Sequence, residues 1–166
     1  PPFSELSSDK IIMYLSELSQ GEDCSLICGS GIESVYAFLH HLPPNIQLIG
    51  NSVHTIQVLK TPQLFFEMLS QQGLPHPKTQ FKAPSDRSNC NWLVKSASGL
   101  GGGHIQYNNN SITYSDSNYF QHCIAGACGS VLFLACGEQS QLISINKQTT
   151  SPTNQAPFRL GNIESP

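Results

Sequence analysis

Hydrophobic and polar positions along the chain follow two spacings, one typical of helices and one typical of strands. Apolar residues three and four apart predict helices over residues 9–19, 32–42 and 52–59, and between Thr61 and Gly73. Short apolar or alternating runs predict strands over residues 25–28, 46–49, 79–81, 92–95, 104–107, 119–124, 130–136 and 141–148. The polar tail, residues 149–166, is predicted as loop.

The helix after Thr61 has the clearest start signal in the chain. Thr61 suits the N-cap position and Pro62 suits the first helical position, where its missing N–H has no partner to lose. Gly73 is a natural end. We expect the side that packs into the protein to be formed by Leu64, Phe65, Met68 and Leu69.

The order of these elements indicates the fold class. Residues 25–49 read as strand, glycine turn, helix and strand, the pattern of a βαβ unit. Helices and short strands follow, and the later strands Tyr119–Ile124 and Ser130–Cys136 look buried. The sequence therefore predicts an α/β to α+β arrangement in two lobes. The glycine turn reads G-S-G-I-E-S and lacks the third glycine of the dinucleotide-binding fingerprint, which disfavours a dinucleotide there.

Composition and charge exclude several classes of partner. Charged residues make up 11% of the chain and the net charge is −3, with no basic run, so we expect no nucleic-acid partner. No apolar stretch approaches the roughly 20 residues that a membrane helix needs, so we expect no membrane partner. A phosphate ligand would have to be held by a few placed groups rather than by a positive field.

The six cysteines favour buried thiols over a metal site or disulfides. There is no CxxC pair and no Cys-His cluster with zinc spacing, and most cysteines sit inside apolar runs. Free thiols indicate a reducing, cytoplasmic location. The chain begins at Pro1 rather than Met, from which we expect a processed or excised piece.

The segment Trp92–Tyr107 carries the main chemical signal. Trp92, Leu93 and Val94 lead to Lys95, and a loop with four glycines separates them from a second strand. Glycines are costly to order, so such a loop commonly needs positive φ or close approach of backbone amides to a ligand. Amides facing a lysine form an anion cradle suited to phosphate. A flexible β-hairpin connection is the alternative that local sequence leaves open.

The order of motifs resembles the ATP-grasp superfamily, which includes the biotin carboxylases and D-alanine ligases, and most closely its carboligase-like, carboxylate–amine ligase-like members. The motifs are Lys60, then G-L-P-H-P at 73–77, Lys95 with its glycine loop, Y-F-Q-H-C-I at 119–124, and Gly126-x-x-x-Ser130. By this resemblance residues 1–51 end a preceding βαβ domain, 52–118 form the first ATP-grasp lobe, and 119–166 begin the second.

The resemblance implies ATP as cofactor, bound with Mg²⁺. Two lysines would hold the phosphates, glycine-loop amides would close over them, and an edge strand would read adenine through its backbone. Carbonyls at Gln121 and His122 would accept from the exocyclic amine, and the Ile124 N–H would donate to the ring. The implied binding residues are Lys60, Lys95, Gly101, Gly102, Gly103, Gln121, His122 and Ile124. Lys60 as a solvated charge and His122 as a structural residue are the plainer readings.

The chain also departs from the family pattern. Cys128 falls where a ribose-binding carboxylate is expected, and Glu164 is the only acid after Glu138, so no metal ligands and no catalytic residues can be assigned. We therefore expect a fragment of a ligase that phosphorylates a small carboxylate for attack by an amine, binding ATP weakly without turnover. Two alternatives stay open: a non-catalytic nucleotide-binding or interaction module, and an unrelated α/β domain. A homodimer is a further open expectation about the assembly.

Overall fold

The structure is a computed structural model that describes residues 7–29, 31–32, 35–85, 91–97, 99, 101–153 and 157–164, with only the backbone at 160 and 162–164. The chain divides into two compact units, Pro1–Met68 and Leu69–Pro166, and each is described by itself. In the described residues no helix combines the length and apolar character needed to cross a bilayer.

The first unit is built on a parallel strand pair. β1 (Cys24–Leu26) pairs with β2 (Ile46–Leu48), as the predicted βαβ unit requires. Helix α1 (Ser8–Ser19) precedes them and begins at Ser7, whose side chain accepts a hydrogen bond from the Lys10 N–H. These elements lie within one or two residues of their predicted bounds.

The connection between β1 and β2 differs from the prediction. Instead of an α-helix over 32–42, the described part is a short 3₁₀ helix, Tyr36–His41, and Ser30, Glu33 and Ser34 lie outside the described residues. Phe38 and Leu39 on this helix are 2% and 7% exposed and form the core with Ile56. Burial of these side chains holds the segment in place without a full α-helical ladder.

Two further helices follow β2. α2 (Val53–Lys60) begins at Ser52, whose hydroxyl accepts from the Thr55 N–H at 3.1 Å. α3 (Pro62–Gln71) starts at the predicted proline and crosses the boundary between the two units. The predicted packing side of α3 is only partly covered: Phe65, Met68 and Leu69 are half-buried, Leu64 is 41% exposed, and no residue of the helix is fully buried. An apolar stripe becomes buried only where another layer covers it, and sequence periodicity does not supply that layer.

The second unit contains a four-stranded antiparallel sheet in the order β3-β6-β4-β5. The strands are β3 (Thr79–Gln80), β4 (Trp92–Ser96), β5 (Ile105–Tyr107) and β6 (Asn118–His122). β4 and β5 pair as the predicted strand, glycine loop and strand. The expectation that residues 121–124 form an edge strand was wrong for β6, because β3 and β4 flank it on both sides.

A second antiparallel sheet has the order β7-β8-β9. It consists of β7 (Gly129–Cys136), β8 (Gln139–Thr150) and β9 (Leu160–Glu164). β7 was predicted to be buried, yet Phe133 and Leu134 are 56% and 66% exposed. The tail was predicted as loop, yet β9 pairs with β8 at Lys147↔Glu164. β9 has no alternating pattern of its own, so the pairing partner rather than the local sequence selects the strand.

Candidate functional site

Lys95 lies near the end of β4, just before the glycine loop, and its ammonium group is held by a neighbouring strand. Its Nζ donates to Oε1 of Gln121 at 2.6 Å. Nε2 of Gln121 donates to the hydroxyl oxygen of Thr79 at 3.1 Å, and that hydroxyl donates to the carbonyl of Pro77 at 2.9 Å. A chain of hydrogen bonds therefore runs across three strands of the sheet, from β4 through β6 to β3.

The donors and acceptors of this series of hydrogen bonds can be arranged in only one direction. The Thr79 hydroxyl has one hydrogen, which it gives to Pro77, so it acts as acceptor toward Gln121. The amide nitrogen of Gln121 must then face Thr79, and the amide oxygen must face Lys95. The flipped amide would place NH₂ donors against an ammonium that only donates. Gln121 is 7% exposed, so a wrong orientation would leave buried polar groups without partners.

The electrostatic environment of Lys95 disfavours its charged form. Burial lowers the pKa of the Lys95 ammonium below its ordinary value, and the nearby Cys123 thiol partly opposes this effect. Tyr119 lies directly opposite Lys95 on β6, and burial raises the pKa of its phenol. An anionic ligand would restore the favoured charge state of Lys95. The position is therefore suited to an anion.

Among the described residues of the glycine loop after Lys95, the backbone is left-handed at Gly101, with φ +62°, and at Gly102, with φ +74°. Gly102 lies against the backbone of Phe158, and a Cβ at Gly102 would overlap the Phe158 carbonyl, closer than the 3.0 Å that real Cβ atoms respect. Gly101 and Gly103 have open space around the corresponding position. The loop thus needs glycine at 102 for close approach and at 101 for conformation.

The Phe158 segment places the backbone of Arg159 beside the loop. Arg159 is exposed, and its Cα lies 3.5 Å from where a Cβ of Gly102 would be. The carbonyl of Arg159 accepts from the Ser151 N–H, and the Phe158 ring packs on Tyr107 of β5 at 5.0 Å between centroids. Sequence order alone separates Arg159 from the loop by more than fifty residues, so only the fold places it there.

The other predicted binding residues have different settings. Lys60 is the last residue of α2 in the first unit, where a cation complements the carboxyl end of the helix. His122 packs edge-on against Trp92 at 5.4 Å, and its N–H donates to the Lys78 carbonyl, which is a structural role. Ile124 lies past the end of β6 and is 65% exposed. The structure brings Lys95 and Gln121 together.

Sequence inspection missed three polar residues of this unit. Gln121 was assigned through its backbone, whereas its buried side chain holds Lys95. Thr79 appeared only as a strand residue. Asn108 was given no role from the sequence, whereas it is 1% exposed and accepts a hydrogen bond from the Tyr114 hydroxyl. A polar residue inside an apolar strand, such as glutamine in Y-F-Q-H-C-I, was the signal available for Gln121.

Metal ligation finds no support among the residues described. In that part of the chain no three His, Cys, Asp or Glu side chains come together as a metal site. Cys128, at the position expected for a ribose-binding carboxylate, is an exposed free thiol. The site that the structure describes is therefore a cationic one, made of an oriented ammonium on the strand that leads into the glycine loop.

Comparison with known proteins agrees with the predicted resemblance. Residues 63–165 match the family described as ATP-grasp domain. A crystal structure from Archaeoglobus fulgidus, assigned to the ATP-grasp superfamily, superposes with a TM-score of 0.63 at 20% identity, covering 97% of this chain. This chain spans 46% of that protein, and at such identity the likeness shows the fold alone. No curated protein matches the chain.

Proposed function

The chain belongs to the ATP-grasp family, and we propose that it supplies the ATP-binding part of a carboxylate–amine ligase. Family membership implies an ATP-binding, ligase-like function. The observation that supports a phosphate ligand is the half-buried Lys95 ammonium, oriented by Gln121 directly before the glycine loop. In the complete enzyme, ATP would phosphorylate a small carboxylate, and an amine or similar nucleophile would attack the acyl phosphate.

Each binding residue has a proposed task. Lys95 would contact phosphate oxygens, since a lysine ammonium is a compact point charge suited to them. Backbone amides of Gly101, Gly102 and Gly103 would face the same phosphates, and Lys60 would supply the second lysine charge that the family resemblance implies. At the end of β6, His122 and Ile124 would border the adenine, whereas the Gln121 side chain holds Lys95.

Domain boundaries at 51/52 and 118/119 belong to this proposal. They correspond to a preceding βαβ domain, a first ATP-grasp lobe with the glycine loop, and the start of a second lobe. The same holds for a cytoplasmic location, which the five described free cysteines favour. A homodimer is compatible with these assignments.

We assign Mg²⁺ only to the complete enzyme, where it would bind together with ATP. The described residues contain no group of three potential ligands, so no step of phosphoryl transfer is assigned to a metal held by this chain. Without metal ligands, the charge that develops on the transferring phosphoryl group would lack compensation. We therefore expect ATP binding by the 166 residues and no measurable turnover.

Calorimetry with ATP, with and without Mg²⁺, tests the proposal. We expect weak binding that Lys95→Met weakens further and that Lys147→Met, which removes an exposed lysine on β8, leaves unchanged. Release of ADP or phosphate is measured in parallel with candidate carboxylates and amines. No ATP binding by the wild-type chain would refute the nucleotide site. Robust turnover would refute the claim that the ligands for catalysis are missing.

A non-catalytic nucleotide-binding module is the second candidate. The observations that favour it are the exposed thiol of Cys128 at the ribose position and the lack of a metal cluster in the described residues. Such a module would bind ATP equally with and without Mg²⁺ and would stay inactive with every carboxylate tried. Mg²⁺-dependent tightening of ATP binding would favour the ligase.

A further inference from the structure

The Gln121 side chain is built into the sheet as a holder for the Lys95 ammonium. It is 7% exposed and reaches Lys95 Nζ at 2.6 Å and Thr79 Oγ1 at 3.1 Å, so both ends of its amide are engaged. Pro77 fixes the Thr79 hydroxyl and thereby the orientation of the amide. A side chain tethered at both ends has few other positions available, and it limits the rotamers of the lysine that it holds.

The backbone of Gln121 is also committed to the sheet. The Cys123 N–H donates to the Asn91 carbonyl, and the His122 N–H donates to the Lys78 carbonyl. Antiparallel hydrogen bonds alternate along a strand, so the backbone groups of Gln121 face its register partner Leu93 on β4. A carbonyl used inside the sheet is not available to an adenine amine. The contribution of Gln121 to a nucleotide site must then come from its side chain.

The neutral amide matters as much as its position. A carboxylate at the same place would form an ion pair with Lys95 and cancel the positive charge that a phosphate needs. An amide oxygen accepts one hydrogen bond from the ammonium. The positive charge of the ammonium and its other two N–H groups stay available for another acceptor. It also offsets part of the cost of placing an ammonium in a half-buried position.

We propose that Gln121 is a positioning residue for the phosphate-binding Lys95, acting through its side-chain amide and anchored by Thr79. The proposal rests on the proposed function, because it takes a nucleotide phosphate as the anion. Gln121 lies opposite Leu93, diagonally across the sheet from Lys95, and it fixes the ammonium over that face of the sheet while keeping its charge uncompensated. Thr79 fixes the orientation of the Gln121 amide and therefore affects Lys95 only indirectly, through Gln121.

Opposite effects of two substitutions on the lysine distinguish this role from a structural one. Gln121→Met keeps the length of the side chain but removes the acceptor, so the pKa of Lys95 should fall further. Gln121→Glu adds a carboxylate, so the pKa should rise. Both should weaken ATP binding about tenfold, the first by losing the orientation and the second by neutralising the charge. Loss of packing alone would not move the lysine pKa in opposite directions.

The pKa is read by NMR on the full chain with lysine labelled at Cε and Nζ, and ATP affinity by calorimetry at constant pH. Within the part of the chain that the structure describes, the titratable groups that face Lys95 are Tyr119, opposite it on β6, and Cys123, just after β6. Cys123→Ser is combined with each Gln121 variant to remove the thiol contribution. Gln106→Met, an exposed glutamine on β5, serves as the matched control and should change neither quantity.

A double-mutant cycle completes the test. If Gln121 acts through Lys95, the variant carrying both Lys95→Met and Gln121→Met binds ATP no more weakly than Lys95→Met alone. Additive losses would show that Gln121 contacts the ligand directly and would overturn the proposal. Should Gln121→Met fail to fold, Thr79→Val removes only the anchor, and it should lower the pKa of Lys95 and weaken binding several-fold.

Failure of this proposal is separable from failure of the proposed function. Wild-type ATP binding together with an unchanged Lys95 pKa in both Gln121 variants would overturn the positioning role alone. Absence of ATP binding by the wild-type chain would overturn the nucleotide site itself, and with it the role assigned to Gln121. Opposite pKa shifts with a non-additive cycle would support both.

Discussion

Replacing single glycines of the loop with alanine should produce a graded effect that depends on what surrounds each position. Gly102 combines a left-handed φ of +74° with close approach to the Phe158 carbonyl. Gly101 has a left-handed φ of +62° and open space. Gly103 has open space and no left-handed φ. The three positions therefore separate backbone strain from steric overlap within one loop.

The magnitudes follow from these two terms. A left-handed conformation costs an L-residue roughly 1–2 kcal/mol, which is the whole effect expected for Gly101→Ala. At Gly102 the added methyl group must also displace the Phe158 backbone, and forced overpacking costs roughly 1–3 kcal/mol more. Gly102→Ala should therefore destabilise the second unit by about 2–5 kcal/mol. Gly103→Ala should be neutral or stabilising by up to about 1 kcal/mol, because alanine restricts the unfolded chain.

Urea unfolding followed by tryptophan fluorescence measures this series directly. Trp92 is the single tryptophan of the chain and lies on β4, so its emission reports the second unit. The contact between the loop and Phe158 would be refuted if Gly102→Ala and Gly101→Ala had equal free energies of unfolding. A loss of stability in Gly103→Ala would refute the assignment of open space there.

Three further changes test separate parts of the structure. Lys95→Met removes a desolvated ammonium, and it also leaves the buried Gln121 Oε1 without its donor. The desolvation penalty of the wild-type chain disappears as the pH rises toward the ordinary lysine pKa of 10.5, so the variant should lose stability relative to wild type over that range; a pH-independent difference in urea midpoints would contradict the burial effect. Tyr114→Phe should cost about 1–3 kcal/mol in the same assay, since the buried Asn108 loses a donor; no change would place that bond outside the folded core. Leu134→Lys should reduce concentration-dependent association in sedimentation velocity without lowering stability, because Leu134 is 66% exposed on the edge strand β7; lower stability would show that β7 is covered.

Local sequence determined the elements whose signals are themselves local. Ser52 starts α2 with its own hydroxyl, and Pro62 starts α3 at the predicted position. The glycines after Lys95 form a loop between two paired strands because few other residues tolerate left-handed backbone. The order of such motifs was enough to predict the ATP-grasp family, which the match over residues 63–165 confirms.

Only the tertiary structure decided which residues far apart in sequence contact each other. Lys95 and Gln121 are 26 positions apart, and nothing in either neighbourhood shows that their side chains meet. The interior position of β6, the strand β9 and the exposure of β7 likewise depend on which segment lies alongside. Helix caps and turns are stabilised by residues that are close in sequence. Buried side chains and cross-strand hydrogen bonds are stabilised by residues that are close only in space.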